Sequence, residues 1–225
     1  MTVETRSVMK FDQVRFRGPG TLKIIQSDDE SLTIHAPDYV LKNIQSEVVD
    51  GVLRLGYVNP HIVLLKVRRE IISYDLKMKD VRRVTFSGTG RIVIPDLDND
   101  HVSVLVSGSG QLSLEKLTAD QFEANITGSG SVKAEGDVEV QRIKISGSGQ
   151  YSSEKLVSDF ADINVAGAGS VSVSVSDELS VVISGSGSVS YAGYPDVYKQ
   201  ITGSGKVTRR RKEPQPPKRG KEHAW

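Results

Sequence analysis

Apolar and polar residues alternate along most of this 225-residue chain. Residues 11–24, 31–36, 51–55 and 71–78 each place apolar side chains at every second position over most of their length. A period of two is typical of strands with one buried face, because successive side chains of a strand point to opposite sides. The sequence therefore predicts an all-β protein.

A Gly-x-Gly triplet recurs seven times, at intervals of 18 to 20 residues. Apolar or aromatic residues stand two positions before and four positions after the first glycine, and small residues flank it on both sides. Matches at the same positions in every copy indicate a structural repeat. The glycines of the triplets are Gly88, Gly90, Gly108, Gly110, Gly128, Gly130, Gly147, Gly149, Gly167, Gly169, Gly185, Gly187, Gly203 and Gly205.

A repeat of this length is too short for paired helices, which need at least about 33 residues per unit. Together with the alternation, it predicts a parallel β-solenoid whose coils of 18 to 20 residues stack about 4.8 Å apart. One coil cannot bury its own apolar face, so the inward residues of neighbouring coils must share a core. We expect one inward column to contain Val106, Ile126, Ile145, Val165 and Ile183.

The sequence leaves two explanations open for the glycines. If each strand runs straight through its triplet, the glycines face inward and let the opposite wall of the coil approach closely. If the triplet forms a corner, glycine supplies a positive φ. In the straight arrangement, the Ser and Thr residues beside the first glycine form two outward columns along the solenoid.

We divide the chain into three parts. Residues 1–80 form an irregular β region that packs on the solenoid, residues 81–207 form the seven-repeat solenoid, and residues 208–225 form a basic tail. The chain as a whole carries a formal charge of +1, but the tail carries seven Lys or Arg and two Glu. The tail also holds three prolines and no large apolar residue before Trp225, which predicts an extended appendage.

The recurring [Val/Ile]-Ser-Gly-Ser-Gly-x-[Val/Leu] motif resembles the bacterial family called putative auto-transporter adhesin, head GIN domain. Residues 11–24, 49–53 and 191–195 resemble that family too, and the likeness covers roughly residues 8–207. It implies a right-handed parallel β-solenoid in an exported or cell-envelope protein. Residues 1–10 contain Glu4 and no apolar run, so we expect no signal peptide in this chain, with an intracellular location as the alternative.

The residue types favour a protein without catalysis. The chain has no cysteine, which excludes disulfides and thiol nucleophiles. The triplets lead into strands, whereas a phosphate-binding glycine loop leads into a helix. Asp96, Asp98 and Asp100 have the spacing of a calcium loop, but the glycine and glutamate that complete such a loop are missing. We therefore predict no enzyme activity, no metal, no cofactor and, because the longest apolar run is four residues, no transmembrane segment.

The first functional hypothesis is an interaction module of adhesin-like type. Its outward Ser and Thr columns would contact a protein or a glycan, and an aromatic edge would extend that surface. The residues of this edge are Tyr191, Tyr194 and Tyr198.

The second hypothesis is a structural subunit of a larger intracellular assembly, held by the basic tail. The tail would bind RNA phosphate, anionic lipid or an acidic partner through its positive charge. The candidate contact residues nearest the solenoid are Arg209, Arg210, Arg211 and Lys212. The sequence does not predict an oligomeric state.

Overall fold

The computed structural model of the chain describes residues 1–58 and 71–210. These residues are nearly all β-strand, with one helix of four residues, α1 (Asp38–Leu41). None of the described helical structure is long and apolar enough to cross a membrane. The strands are β1 (Thr2–Arg6), β2 (Gln13–Arg17), β3 (Thr21–Gln26), β4 (Ser31–Ala36), β5 (Ile44–Val49), β6 (Val52–Tyr57), β7 (Ser73–Met78), β8 (Arg83–Gly88), β9 (Arg91–Ile94), β10 (Leu97–Asp98), β11 (His101–Gly108), β12 (Gln111–Gly128), β13 (Ser131–Gly147), β14 (Gln150–Gly167), β15 (Ser170–Gly185), β16 (Ser188–Ala192), β17 (Asp196–Gly203) and β18 (Lys206–Arg209).

Strands β8 to β18 stack as parallel coils, which confirms the predicted β-solenoid with about six turns. Each coil has a pre-glycine face that leads into the triplet and a post-glycine face that leaves it. The register between coils aligns glycine with glycine, as in the pairing of Gly128 with Gly147. The expected inward column is present, since Val106, Ile126, Ile145, Val165 and Ile183 are register partners in order and are at most 1% exposed.

Both explanations for the glycines apply, each to a different glycine of the triplet. The first glycine of every triplet has a φ between +104° and +140°, so the triplet is a corner. At Gly147 an added Cβ would also lie 2.7 Å from the carbonyl oxygen of Gly128 in the coil below. The second glycine faces the core, and a Cβ at Gly149 would lie 2.5 Å from Cγ2 of Ile126. The triplet is therefore a corner at its first glycine and a close approach at its second.

The stack continues into the N-terminal region on both faces. On the post-glycine face β3 pairs with β9, and β7, β4 and β1 follow, the last two pairings being antiparallel. On the pre-glycine face β2 pairs with β8, and β6 and β5 follow. Residues 13–26 thus form a coil of the same stack, with the corner of Gly18 lying on that of Gly88.

Helix α1 and one arginine close the N-terminal end. Helix α1 joins β4 to β5 and buries Val40 and Leu41 against the core. Arg6 of β1 reaches across to the other layer, where its Nη1 donates to the carbonyl of Ile44 at 2.8 Å and its Nη2 to the carbonyl of Leu41 at 3.1 Å. These contacts satisfy carbonyls at the C-terminal end of α1 and tie the two layers together.

One polar cluster lies inside the solenoid. Gln141 occupies an inward column between Phe122 and Ala161 and is fully buried. Its Nε2 donates to Ser158 Oγ at 2.6 Å, and its Oε1 accepts from the hydroxyls of Tyr151 at 3.0 Å and Ser153 at 3.2 Å. Burial raises the pKa of Tyr151, which therefore stays neutral and acts as a donor. Because its members are hydrogen-bonded, the cluster avoids the cost of burying unpaired polar groups.

Candidate interaction surface

The triplets and the residue before each form an exposed ridge, which we call the glycine corner. The middle residues of the triplets are all exposed, and their backbone amides are used by the stack, as in the bond from Ser148 N to the Gly128 carbonyl at 2.9 Å. All of them except Ala168 carry a hydroxyl, and the ridge has no bulky side chain. The middle residues are Thr89, Ser109, Ser129, Ser148, Ala168, Ser186 and Ser204.

The residues before the first glycines are register partners on the pre-glycine face. Ser87 and Ser107 are half-buried, and most of the later members are exposed. A hydroxyl both donates and accepts a hydrogen bond, so this edge of the ridge offers both functions along the stack. The column continues as Thr127, Ser146, Ala166, Ser184 and Thr202.

Charges of both signs cover the rest of the pre-glycine face. Glu123, Arg142 and Asp162 are successive register partners, so opposite charges are neighbours there. Asn125 Nδ2 donates to Glu123 Oε1 at 2.9 Å. This face is therefore polar, with little net charge.

The post-glycine face carries serines and surface ion pairs. Ser172 Oγ and Ser190 Oγ lie 3.0 Å apart in neighbouring coils. Nearby, Glu135 accepts from Lys133 Nζ at 2.7 Å and from Lys155 Nζ at 3.4 Å. The hydrogen bond from Lys133 holds the pKa of Glu135 below its usual range. Exposed pairs of this kind add little to stability, so we assign them no functional role.

The three tyrosines of the predicted aromatic edge do not share one surface. Tyr191 is the register partner of the buried Val173 and packs half-buried against the core. Tyr194 and Tyr198 are 86% and 62% exposed. Tyr198 lies on the pre-glycine face beside Ser180, and Tyr194 lies in the turn before β17. The structure thus leaves two of the three tyrosines available for contact.

The first two arginines of the tail are attached to the solenoid. The guanidinium carbon of Arg209 lies 3.6 Å from the centre of the Tyr194 ring, a cation–π contact. Arg210 forms an ion pair with Glu154, and its backbone amide donates to the Tyr191 carbonyl at 2.8 Å. The other two candidates, Arg211 and Lys212, lie outside the described residues.

The structure contains a groove near the N-terminal end that the sequence did not predict. Arg15, Arg17 and Arg54 lie on its rim, and Pro19 and Tyr57 form part of its floor. The groove arises from the pairing of β2 with β6, which are separated by more than thirty residues in the chain. Only that pairing brings the arginines together, so no local motif could have revealed them.

Residues 1–58 and 71–210 contain no group of three His, Cys, Asp or Glu side chains placed to hold a metal ion. In the aspartate-rich turn, Asp96 Oδ2 instead accepts from Lys116 Nζ at 2.8 Å.

The comparison with known families decides the classification. A family model described as putative auto-transporter adhesin, head GIN domain, matches residues 10–195. The chain belongs to this family. The resemblance that the repeated motif carried is thereby confirmed, and the family's description supports an adhesin-like, non-catalytic role. A search of curated proteins found no significant match.

Solved structures share the fold of this head GIN domain. A putative adhesin from Bacteroides fragilis superposes with a TM-score of 0.81 at 21% identity, over 92% of this chain and 95% of its own. A putative adhesin from Parabacteroides merdae superposes with a TM-score of 0.75 at 21% identity, and the match covers 93% of this chain and 96% of that protein. A putative lipid binding protein from Parabacteroides distasonis superposes with a TM-score of 0.76 at 20% identity, and the match covers 93% of this chain and 96% of that protein. At these identities the likeness shows the fold alone.

Proposed function

We propose that this head GIN domain is a non-catalytic interaction domain. Its glycine corner binds another protein or a glycan. The observation that carries the proposal is the exposed row of small residues at the corner, in which every middle residue except Ala168 carries a hydroxyl. The family's adhesin-like description and the adhesin names of two structural neighbours support the same class of function.

The corner has physical properties that suit this role. Serine side chains lose little conformational entropy when a partner immobilises them, and the stacked backbone beneath them is already rigid. Their hydroxyls repeat at the spacing of the coils, about 4.8 Å, so a repetitive partner can make the same hydrogen bond many times. The glycines keep bulky side chains away and let a flat partner approach.

The test replaces exposed hydroxyls at the corner by arginine. The corner variant carries Ser109→Arg, Ser129→Arg and Ser148→Arg. Its control carries Ser113→Arg, Ser152→Arg and Ser172→Arg, which add the same charge to one column of the post-glycine face. Both proteins and the parent chain are measured by biolayer interferometry against immobilised glycans, collagen and mucin.

For any ligand that the parent chain binds, we expect the corner variant to lose at least about tenfold in affinity, because a bulky charge now covers each hydroxyl. The control should stay within about twofold, since its substitutions lie on another face. Equal binding by both variants would contradict the assignment of the corner.

The alternative function, anchoring of an intracellular assembly by the basic tail, rests on one structural detail. Arg209 and Arg210 attach the start of the tail to the C-terminal end of the solenoid, so a partner held by residues 211–225 would lie beside that end. A chain that ends at Arg210 preserves both contacts. If the tail binds RNA or anionic vesicles, this truncation should abolish a salt-sensitive interaction. Binding that survives truncation would refute the alternative.

A further inference from the structure

A groove of about 620 Å³ lies where the β5–β6 hairpin extends beyond the corner of Gly18. Such a volume is within the range of about 300–1,000 Å³ that small-molecule sites occupy. Its depth comes from missing side chains, because Gly18, Gly56 and Gly88 all line it. It overlaps the glycine corner only at the first triplet of the repeat, because Ser87, Gly88 and Thr89 line its end.

The floor of the groove is largely carbon. The ring of Tyr57 lies against the corner, so close that a Cβ on Gly18 would be 2.5 Å from its Cε2. The Tyr57 hydroxyl points away from the groove toward the buried Tyr74, with 3.2 Å between the two oxygens. Burial raises the pKa of Tyr57, so the ring stays neutral. Pro19 continues this apolar surface.

The rim of the groove is positively charged. Arg15 and Arg54 are register partners on neighbouring strands, and Arg17 follows on the same face. Arg54 Nη1 is 4.0 Å from Glu47 Oε1, the one acidic side chain that lines the groove among the described residues. The side chains of Arg15 and Arg17 form no hydrogen bond or ion pair with residues 1–58 or 71–210. Like charges on adjacent strands repel, so an anion placed between them would be stabilised.

We infer that this groove binds an anionic amphiphile, with a carboxylate or phosphate head between Arg15, Arg17 and Arg54 and a short apolar chain along Tyr57 and Pro19. The guanidinium fork matches both head groups through paired hydrogen bonds. A small anion without an apolar chain would contact only the arginines of the rim. The apolar floor therefore favours a ligand that also carries a hydrocarbon chain.

The full chain is titrated by calorimetry with four probes, and the three amphiphiles among them are kept below their critical micelle concentrations. Laurate and dodecyl phosphate carry both head and chain, inorganic phosphate carries the head alone, and octyl glucoside carries a chain with a neutral head. We expect both amphiphilic anions to bind at least about tenfold more tightly than the other two probes, because only they use both parts of the groove.

Two variants locate the binding. Arg15→Gln with Arg17→Gln removes the rim charge, and its matched control, Arg142→Gln with Lys144→Gln, removes two charges from one exposed strand of the same face. Gly56→Leu fills the groove, and its backbone permits a side chain because a Cβ there would meet Arg17 Cβ at an ordinary 3.6 Å. Melting temperatures verify that each variant folds.

The rim and Gly56→Leu variants should each bind laurate at least about tenfold more weakly than the parent, and the control should bind it within about twofold. The inference is overturned if the parent chain does not bind laurate or dodecyl phosphate, if inorganic phosphate binds as tightly as dodecyl phosphate, or if the folded rim variant keeps full affinity. None of these outcomes bears on the glycine corner, whose function is tested with other ligands and variants.

Discussion

The two ends of the solenoid stop the stack in different ways. At the N-terminal end, β4, β1 and β5 extend both faces, α1 bridges them, and inward side chains such as Ile34 and Leu53 are fully buried. At the C-terminal end, β17 and β18 each pair with one strand among the described residues. Ile201 of β17 is 37% exposed, although its register partner Ile183 is fully buried.

In the C-terminal coil, a charged residue occupies an inward column that is apolar in every other coil. Lys199 is the register partner of Val181, which continues an inward column through Ile163 and Ile143. An inward-pointing lysine on an edge strand prevents another sheet from pairing with it. Repeat proteins need terminal units that differ from the consensus, and this molecule uses additional structure at one end and a single charge at the other.

The largest contrast is expected within one inward column. Ile183→Asp buries an unpaired carboxylate and should cost about 4 kcal/mol or more. Ile201→Asp places the same group in the open coil and should cost less than about 1.5 kcal/mol, because water still reaches it. Urea denaturation of both variants measures the difference. If both variants lost a similar amount of free energy of unfolding, the C-terminal end would have to be covered.

A second contrast compares neighbours at one corner. Gly147→Val forces a β-branched residue into a positive φ and against the carbonyl of Gly128, so we expect a loss of about 3 kcal/mol. Ser148→Val changes an exposed position of the same turn and should cost less than about 0.5 kcal/mol. Thermal unfolding gives both values. Equal tolerance would show that the triplet is not needed for the corner.

The repeat predicted the regular part of the molecule because side-chain direction in a strand depends on parity alone. The inward column from Val106 to Ile183 follows directly from that rule. Gln141 follows the same parity but is polar: it lies inward, and its partners Tyr151 and Ser158 are set by stacking rather than by neighbouring sequence.

The candidate sites were less predictable than the core. Tyr191 was grouped with Tyr194 by proximity in the chain, yet parity turns it toward the core. The groove depends on the pairing of β2 with β6, which no local pattern encodes. The three-part division of the chain stays a prediction, and β2 and β3 stack on the solenoid as one of its coils.

A third prediction concerns the closed end. Arg6→Ala removes the hydrogen bonds to the carbonyls of Ile44 and Leu41 and should destabilise the protein by about 1–3 kcal/mol. Arg83→Ala, an exposed arginine on β8, serves as the control and should be neutral. Urea denaturation checks both. A neutral Arg6→Ala would mean that α1 alone closes this end.

The smallest effect on stability, but an informative one, is expected at Lys199. Lys199→Val should change the free energy of unfolding by less than about 1 kcal/mol, since the side chain is exposed. It should, however, promote association through the open edge, visible as larger species in sedimentation velocity. Lys206→Val, which removes an outward charge from β18, should not do so. Identical sedimentation of both variants would refute the capping role of Lys199.

Native-state hydrogen exchange tests the difference between the two ends most directly. Strands β4, β7 and β13 have neighbours on both sides, so their amides should exchange slowly. In β17, the amides that point toward β15 should be protected, and those that point away should exchange as fast as in an unfolded peptide. This alternating pattern is the result that an open C-terminal end predicts. Uniform protection of β17 at the level of β13 would contradict it.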